Sequence, residues 1–173
     1  MTSLEDFNDL PAGRATELLS ACCGSSRWVA GMKSRRPFAS RDQLFGAADE
    51  IWRSLGPNDW KEAFSHHPRI GETSAAIGQG QQSATWSAGE QGSVSRASES
   101  IRLAQKDMNA QYERRFGFIY IVCATGKSPN EMFAIARERL SNDPVTELRV
   151  AAEEQRKIMR LRLEKLLATR PNQ

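Results

Sequence analysis

One strand-like run in an otherwise helical pattern is the feature that most limits how this chain can fold. Residues 118–124 read Phe-Ile-Tyr-Ile-Val-Cys-Ala, an apolar run rich in aromatic and β-branched side chains. A stable sheet needs further strands to pair with such a run, and the sequence offers no second run of this kind. We therefore expect a buried extended segment or a helix start at this position, and an all-α protein.

The rest of the chain carries the periodicity and the boundary signals of helices. Ser128 and Glu131 have the spacing of a capping box, and Pro129 stands at the first helical position between them. A long amphipathic stretch begins at Val94, and Gly117 predicts its end. These signals together predict a helical bundle of about seven or eight helices.

Length and composition point to one globular domain. The 173 residues, of which 39% are hydrophobic and 26% charged, exclude wholesale disorder and a small disulfide scaffold. We expect a single domain over residues 1–173 with its core at about 4–167. Residues 72–93 are rich in Gly, Gln, Ser, Ala and Thr, and we expect them to form a long polar surface loop with about one helical turn.

Charge and targeting signals indicate a cytoplasmic protein with no affinity for nucleic acid or membranes. The 24 Lys and Arg residues against 21 Asp and Glu give a formal net charge of +3, too weak to indicate a polyanionic partner. We find no export signal at the N-terminus and no apolar run of the ~20 residues that a membrane span needs. Cys22, Cys23 and Cys123 lack metal-type spacing and are expected to be buried or half-buried thiols.

An arginine interrupts the apolar stripe of the last helix. Arg162 follows Met159 and precedes Leu166 at helical spacing, so its side chain belongs to the core-facing side. Burying a guanidinium is costly unless it meets a carboxylate or a ligand anion. Two interpretations stay open: Arg162 binds substrate, or it extends to the edge of the core or pairs with an internal Glu. The other basic residues of this helix predict a solvated face: Arg156, Lys157, Arg160 and Lys165.

The two histidines of the chain, His66 and His67, stand directly before Pro68. Consecutive side chains diverge, so the pair is a poor metal chelate. A residue before proline is held extended, which can aim the His67 imidazole into a cleft. The competing interpretation is one exposed and one hydrogen-bonded histidine without a catalytic role. Glu90, a lone acid within the polar segment, is a further candidate.

Six short pieces of the sequence, taken together and in order, resemble the 2-oxo-4-hydroxy-4-carboxy-5-ureidoimidazoline (OHCU) decarboxylase family. No single piece is strongly specific, but the ordered set is, and it covers nearly the whole chain, from about Leu4 to Leu167. The pieces are Arg36-Pro37-Phe38, His67-Pro68 with Ile70-Gly71, Ser87 with Glu90-Gln91, Tyr112 with Arg115-Phe116-Gly117-Phe118, Ile121-Val122-Cys123-Ala124, and Lys157-Ile158 with Arg162-Leu163.

The resemblance implies an all-helical fold peculiar to the family, usually a homodimer, acting on a small-molecule substrate without metal or organic cofactor. The implied reaction is decarboxylation of OHCU to (S)-allantoin in urate degradation, a branch of purine catabolism. The resemblance assigns catalytic roles to His67, Glu90 and Arg162. It assigns substrate binding to Pro68, Ser87, Glu90, Gln91, Tyr120, Ile121, Val122, Cys123 and Ala124.

These residue types suit the implied chemistry. Loss of carbon dioxide leaves a delocalised, enolate-like anion, so the substrate itself supplies the electron sink. We expect Arg162 to clamp a substrate oxygen, His67 to move a proton, and Glu90 to hold N–H groups or orient the histidine. Backbone amides near Ile121–Ala124 are expected to bind developing negative charge.

Two other functions remain to be weighed. The chain could be a helical interaction module whose basic last helix binds an acidic partner or nucleic acid, which predicts a steep salt dependence of binding. It could also be an enzyme of another class, such as a purine-ring hydrolase, which predicts ammonia or a ring-opened product instead of carbon dioxide.

Overall fold

A computed structural model describes residues 2–72, 80–92 and 98–168 of the chain. Within these residues the chain forms nine helices and no β-strand, which confirms the all-α prediction and slightly exceeds the expected number of helices. None of the helices in these ranges is both long and apolar enough to cross a membrane. The helices are α1 (Leu4–Asp9), α2 (Ala12–Cys22), α3 (Ser26–Ser34), α4 (Arg41–Ser54), α5 (Pro57–Ser65), α6 (Gln81–Glu90), α7 (Glu99–Phe116), α8 (Pro129–Arg139) and α9 (Pro144–Leu166).

The chain divides into two compact units. Unit 1 consists of Met1–Ala63 with Arg156–Gln173, and unit 2 consists of Phe64–Gln155. Each unit has its own buried apolar residues. The single domain over residues 1–173 stays a prediction.

Unit 1 packs α2, α3 and α4 around a buried tryptophan. Ser25 caps α3, because its hydroxyl accepts the Trp28 backbone N–H at 3.3 Å. The indole N–H of Trp28 donates to the carbonyl of Ala48 in α4 at 3.1 Å, so the ring is both buried and hydrogen-bonded. Further buried residues of unit 1 are Phe7, Leu19, Met32, Leu44, Met159 and Leu163.

Unit 2 is built on aromatic contacts at the end of α7. Gly117 ends this helix in the left-handed conformation (φ 75°), as predicted, and reverses the chain direction. Phe118 thereby returns to Tyr112, with ring centroids 5.9 Å apart, and to Phe64 at 5.4 Å. Tyr112 also contacts Tyr120 at 5.3 Å. The aromatic cluster fixes where the extended segment starts.

The predicted capping box of α8 is confirmed. The Ser128 hydroxyl accepts the Glu131 backbone N–H at 3.2 Å, and the Glu131 carboxylate accepts the Ser128 N–H at 2.7 Å. Pro129 is the first residue of the helix. Because α8 starts shortly after the turn at 125–126, its cap helps to fix the direction in which the chain continues from residues 120–124.

The prediction that residues 72–93 form a polar loop is wrong for the second half of this range. Residues Gln81–Glu90 form a ten-residue helix, α6, and its buried side chains are Ser83 and Ser87. A helix that buries small polar residues has no apolar periodicity, so the hydrophobic pattern failed to predict it. Residues 73–79 of this predicted loop lie outside the described residues, and so does the predicted helix start at Val94.

The strand-like run behaves as expected. Residues 119–124 have no regular secondary structure, and Tyr120, Ile121, Val122, Cys123 and Ala124 are all buried. The chain therefore contains a buried extended segment, called the 120–124 segment below, whose backbone polar groups must find partners outside any sheet.

Candidate active site

His67 lies in a short irregular stretch that begins where α5 ends. The His67 backbone N–H donates to the Phe64 carbonyl at 3.0 Å, which closes a turn after the last helical residue, Ser65. Both His67 and Pro68 are half-buried. This placement agrees with a histidine held by the following proline at the edge of a core.

Neutral amide side chains hold the loop that follows, residues 67–71. Asn109 on α7 donates to the Ile70 carbonyl at 2.8 Å and accepts from Gln105 at 2.9 Å. The Gln91 side-chain carbonyl accepts the Gly71 N–H at 2.9 Å. The last contact fixes the end of α6 beside the loop that carries His67.

An ion pair closes the outer side of the same loop. Arg69 makes a two-nitrogen contact with both carboxylate oxygens of Glu113 on α7. The hydrogen bond to Glu113 raises the pKa of Arg69. Arg69 is exposed and Glu113 half-buried, so solvent screens this pair.

Ser87 and Glu90 occupy the last turn of α6. Ser87 is buried and Glu90 half-buried. Burial raises the pKa of the Cys123 thiol, and the negative charges of Glu154 and Glu90 raise it further. Ser87, Glu90 and the 120–124 segment all belong to unit 2.

Charged side chains hold one edge of the 120–124 segment. Arg139 Nη1 on α8 donates to the Ile121 carbonyl at 2.8 Å. The Cys123 N–H donates to the Glu154 carboxylate on α9 at 2.7 Å, and Lys127 Nζ donates to the Cys123 carbonyl at 2.8 Å. The Cys123 N–H is thus bound by a carboxylate. Of the amides near Ile121–Ala124 that were expected to bind developing negative charge, this one is engaged by Glu154.

Behind the segment lies a buried network centred on one ion pair. Arg139 Nε donates to Glu147 at 2.7 Å, and its guanidinium lies 4.9 Å from the centre of the Tyr120 ring. Tyr112 also donates to Glu147, and Asn142 does so at 2.8 Å. Burial raises the pKa values of both tyrosines, so Tyr112 and Tyr120 keep their phenolic protons.

Arg162 belongs to unit 1, whereas all the other predicted site residues belong to unit 2. Its side chain is buried, with 2% exposure, which rules out extension to the solvent edge. Nη1 donates to the Ala21 carbonyl at 3.1 Å. Burial raises the pKa of the Cys23 thiol to about 12, and the positive charge of Arg162 opposes that rise. The Arg162 charge therefore acts inside a part of unit 1 that excludes water.

The prediction of a solvated basic face on α9 is wrong for Arg156 and Arg160, two of the four residues assigned to it. Arg156 and Arg160 bind the two carboxylate oxygens of Asp49 at 3.0 and 2.7 Å. The guanidinium of Arg160 also lies 5.0 Å from the centre of the Phe45 ring. Because a shared carboxylate neutralises part of this charge, the surface is poorly suited to a polyanionic partner.

Metal-ligand geometry is not found in the described ranges. No group of three His, Cys, Asp or Glu residues within 2–72, 80–92 and 98–168 is arranged to hold a metal ion. Cys22, Cys23 and Cys123 are buried free thiols, as expected.

Sequence analysis missed the residues that hold the site from behind. Arg139 could have been found, because it follows Met132 and Ala136 on a buried stripe, in the same way as Arg162 follows Met159. Glu154 and Asn109 give no such signal, since their partners are backbone atoms remote in sequence.

Comparison with known proteins identifies the family. The family model described as OHCU decarboxylase matches residues 8–164. The chain is 38% identical over 149 residues to the uric acid degradation bifunctional protein TTL of Arabidopsis thaliana, covering 85% of this chain and 45% of that protein. It is 26% identical over 162 residues to the OHCU decarboxylase of Haloferax volcanii, covering 93% of this chain and 94% of that protein.

Solved structures agree with this similarity. A crystal structure of OHCU decarboxylase in the presence of (S)-allantoin matches with a TM-score of 0.74 and 34% identity, over 87% of this chain and 96% of that one. The chain spans 45% and 32% of the lengths of two bifunctional relatives, from Arabidopsis thaliana and a Bacillus species. The ordered motifs, the all-helical fold and these matches lead to one conclusion: the chain belongs to the OHCU decarboxylase family.

Proposed function

We propose that this protein is a carboxy-lyase that converts OHCU to (S)-allantoin in urate degradation, using no metal or organic cofactor. The observation that carries the proposal is the grouping within unit 2. Hydrogen bonds hold the His67 loop against the end of α6 and against α7, and Tyr112 on α7 contacts Tyr120 at the start of the 120–124 segment. A half-buried imidazole, a carboxylate and a buried extended backbone are the groups that proton transfer next to a stabilised carbanion requires.

The reaction needs little from the protein beyond orientation and proton transfer. When the carboxylate of OHCU leaves as carbon dioxide, the electron pair enters the adjacent ring system and forms an enolate-like anion. His67 exchanges a proton with the substrate hydroxyl or protonates the resulting carbon on one face. Protonation on one face gives a single enantiomer of allantoin.

The neighbours of His67 supply hydrogen bonds to the substrate. Glu90 accepts from ureido or ring N–H groups and orients the imidazole. Gln91 uses its carbonyl oxygen to hold Gly71, so its amide nitrogen is the end assigned to the substrate. Pro68 and Ser87 line the same side of the site.

Arg162 is assigned to a substrate carboxylate or carbonyl oxygen. The family resemblance supports this role, and the burial of the side chain adds a physical reason. A guanidinium removed from water interacts more strongly with an anion, and its planar fork of donors fixes the orientation of the bound group. The assignment predicts a large rise in KM for Arg162→Gln.

A homodimer in the cytoplasm completes the proposal, and the family resemblance supports the dimer. Light scattering coupled to gel filtration measures the oligomeric state directly. A monomer at the concentrations used for the activity assay would contradict the dimer without affecting the proposed chemistry.

The proposed reaction is tested with freshly generated OHCU, followed by circular dichroism of the allantoin that forms. Spontaneous decay gives racemic allantoin, so rate and handedness are both informative. We expect the protein to produce one enantiomer quickly, and His67→Ala to lose most turnover while keeping its helical spectrum. His66→Ala is the matched control, since His66 is also half-buried and precedes His67 directly.

Two results would contradict the proposal at different levels. Racemic product at the background rate from folded wild-type protein would reject the decarboxylase activity. Full activity in His67→Ala would reject the role of this histidine and leave the activity in place.

A further inference from the structure

The 120–124 segment has buried backbone groups but no strand beside it. A buried N–H or C=O without a partner is destabilising, so an extended segment in a core requires a substitute for the neighbouring strand. In unit 2 that substitute is a set of side chains from α8 and α9. Arg139 satisfies the Ile121 carbonyl, and Glu154 satisfies the Cys123 N–H.

These two contacts define one edge of the segment. In an extended chain, the backbone groups of alternate residues point to the same edge. Ile121 and Cys123 are alternate residues, and both face charged side chains. By the same alternation, we expect the N–H and C=O of Val122 to point to the opposite edge.

The backbone groups of Val122 are not used in the hydrogen-bond network of the described residues. Among the residues that the structure describes, none forms a hydrogen bond with the backbone N–H or C=O of Val122, although the residue is 3% exposed. A donor and an acceptor side by side match a lactam or ureido group, which offers the complementary pair.

We infer that Glu154 is a positioning residue for the substrate: by binding the Cys123 N–H, it orients the 120–124 segment so that the Val122 N–H and C=O face the ligand. The inference rests on the proposed function. A bond from a backbone N–H to a carboxylate is charge-assisted and stronger than one to a neutral acceptor, so Glu154 restrains the segment firmly.

Glu154 is also the side chain whose role can be separated from folding. Arg139 is bound to the buried Glu147, and its removal would leave a buried charge without its partner. Glu154 is half-buried, so replacing it is less damaging. The variants are Glu154→Leu, which removes the acceptor, and Glu154→Gln, which keeps an amide oxygen at a similar position. Glu164→Leu, at an exposed position of the same helix, is the control.

Steady-state kinetics with OHCU test the inference first. We expect Glu154→Leu to lower kcat/KM by about ten- to a hundredfold, with part of the loss in KM, and to melt at a lower temperature than Glu164→Leu while keeping its helical spectrum, because the buried Cys123 N–H loses its acceptor. Glu154→Gln should restore most of the activity. Wild-type kinetics in Glu154→Leu, or equal losses in the leucine and glutamine variants, would overturn the inference.

Amide hydrogen exchange provides a second test that needs no substitution. In the free wild-type protein the Cys123 N–H should exchange slowly, and the Val122 N–H should become protected only when (S)-allantoin is added. Unchanged exchange at Val122 in saturating allantoin would overturn the inference.

If wild type and control are both inactive with OHCU, the proposed function fails. Faster Cys123 exchange in Glu154→Leu would still show that Glu154 holds the segment.

Discussion

Two irregular stretches of unit 2 carry most of the predicted site, and they are held in opposite ways. The loop over residues 67–71 is fixed by neutral amides, Asn109 on the Ile70 carbonyl and Gln91 on the Gly71 N–H. The 120–124 segment is fixed by charged groups, the guanidinium of Arg139 and the carboxylate of Glu154. The same problem of unpaired backbone groups therefore has a neutral and an ionic solution within one unit.

The difference indicates how far each stretch can move. Neutral hydrogen bonds contribute modestly to stability and allow small adjustments, which suits the loop that carries a histidine engaged in proton transfer. A buried ion pair strongly penalises the loss of either partner, which suits a backbone edge that must stay fixed. The effects of substitutions on stability and turnover should therefore differ between the two stretches.

The largest effect is expected at Arg139. Arg139→Met removes the partner of Glu147 and leaves a buried carboxylate, so the free energy of unfolding should fall by about 3–5 kcal/mol. Urea-induced unfolding followed by circular dichroism measures the change. Arg137→Met, at an exposed position of the same helix, serves as the control. A loss below about 1 kcal/mol would show that the ionic network does not stabilise the segment.

An intermediate effect is expected at Asn109. Asn109→Leu leaves the Ile70 carbonyl without its buried donor, which should lower the free energy of unfolding by about 1–3 kcal/mol. Because the same loop carries His67, turnover of OHCU should fall as well. Gln111→Leu is the control, since Gln111 is exposed on the same helix. If the substitution reduces stability but leaves turnover unchanged, the loop is not held by Asn109 for catalysis.

The smallest effect is expected at the ion pair between Arg69 and Glu113. Its members are 44% and 29% exposed, so a double-mutant cycle with Arg69→Gln and Glu113→Gln should give a coupling of at most about 1 kcal/mol. The coupling should shrink further when the ionic strength rises from low salt to about 1 M. A large, salt-independent coupling would place this pair with the buried network and remove the contrast between the two stretches.

Much of the helical architecture could be predicted because its signals are local. The cap at Ser128 and the stop at Gly117 both follow from residues near one another in sequence. Arg162 was singled out as anomalous because an apolar stripe makes a charge conspicuous. Its burial then followed from the same pattern.

The features that could not be predicted involve small buried side chains or backbone atoms that are distant in sequence. Helix α6 buries Ser83 and Ser87, whose small polar side chains give no hydrophobic periodicity. Glu154 and Asn109 bind backbone groups 31 and 39 residues away, and a backbone acceptor or donor has no signature in the sequence. Arg139 is an intermediate case. Its position on the buried face of α8 could be predicted from the sequence, but its hydrogen-bond partners could not.

The buried cysteines give the protein internal reporters of local opening. Cys23 lies in unit 1 and Cys123 in unit 2, and burial raises the pKa of both thiols. A protonated, enclosed thiol reacts with a maleimide or disulfide reagent only after the surrounding structure opens. Labelling rates read residue by residue in a mass spectrometer therefore measure the opening free energy of each unit separately. The native chain provides this measurement without an introduced cysteine.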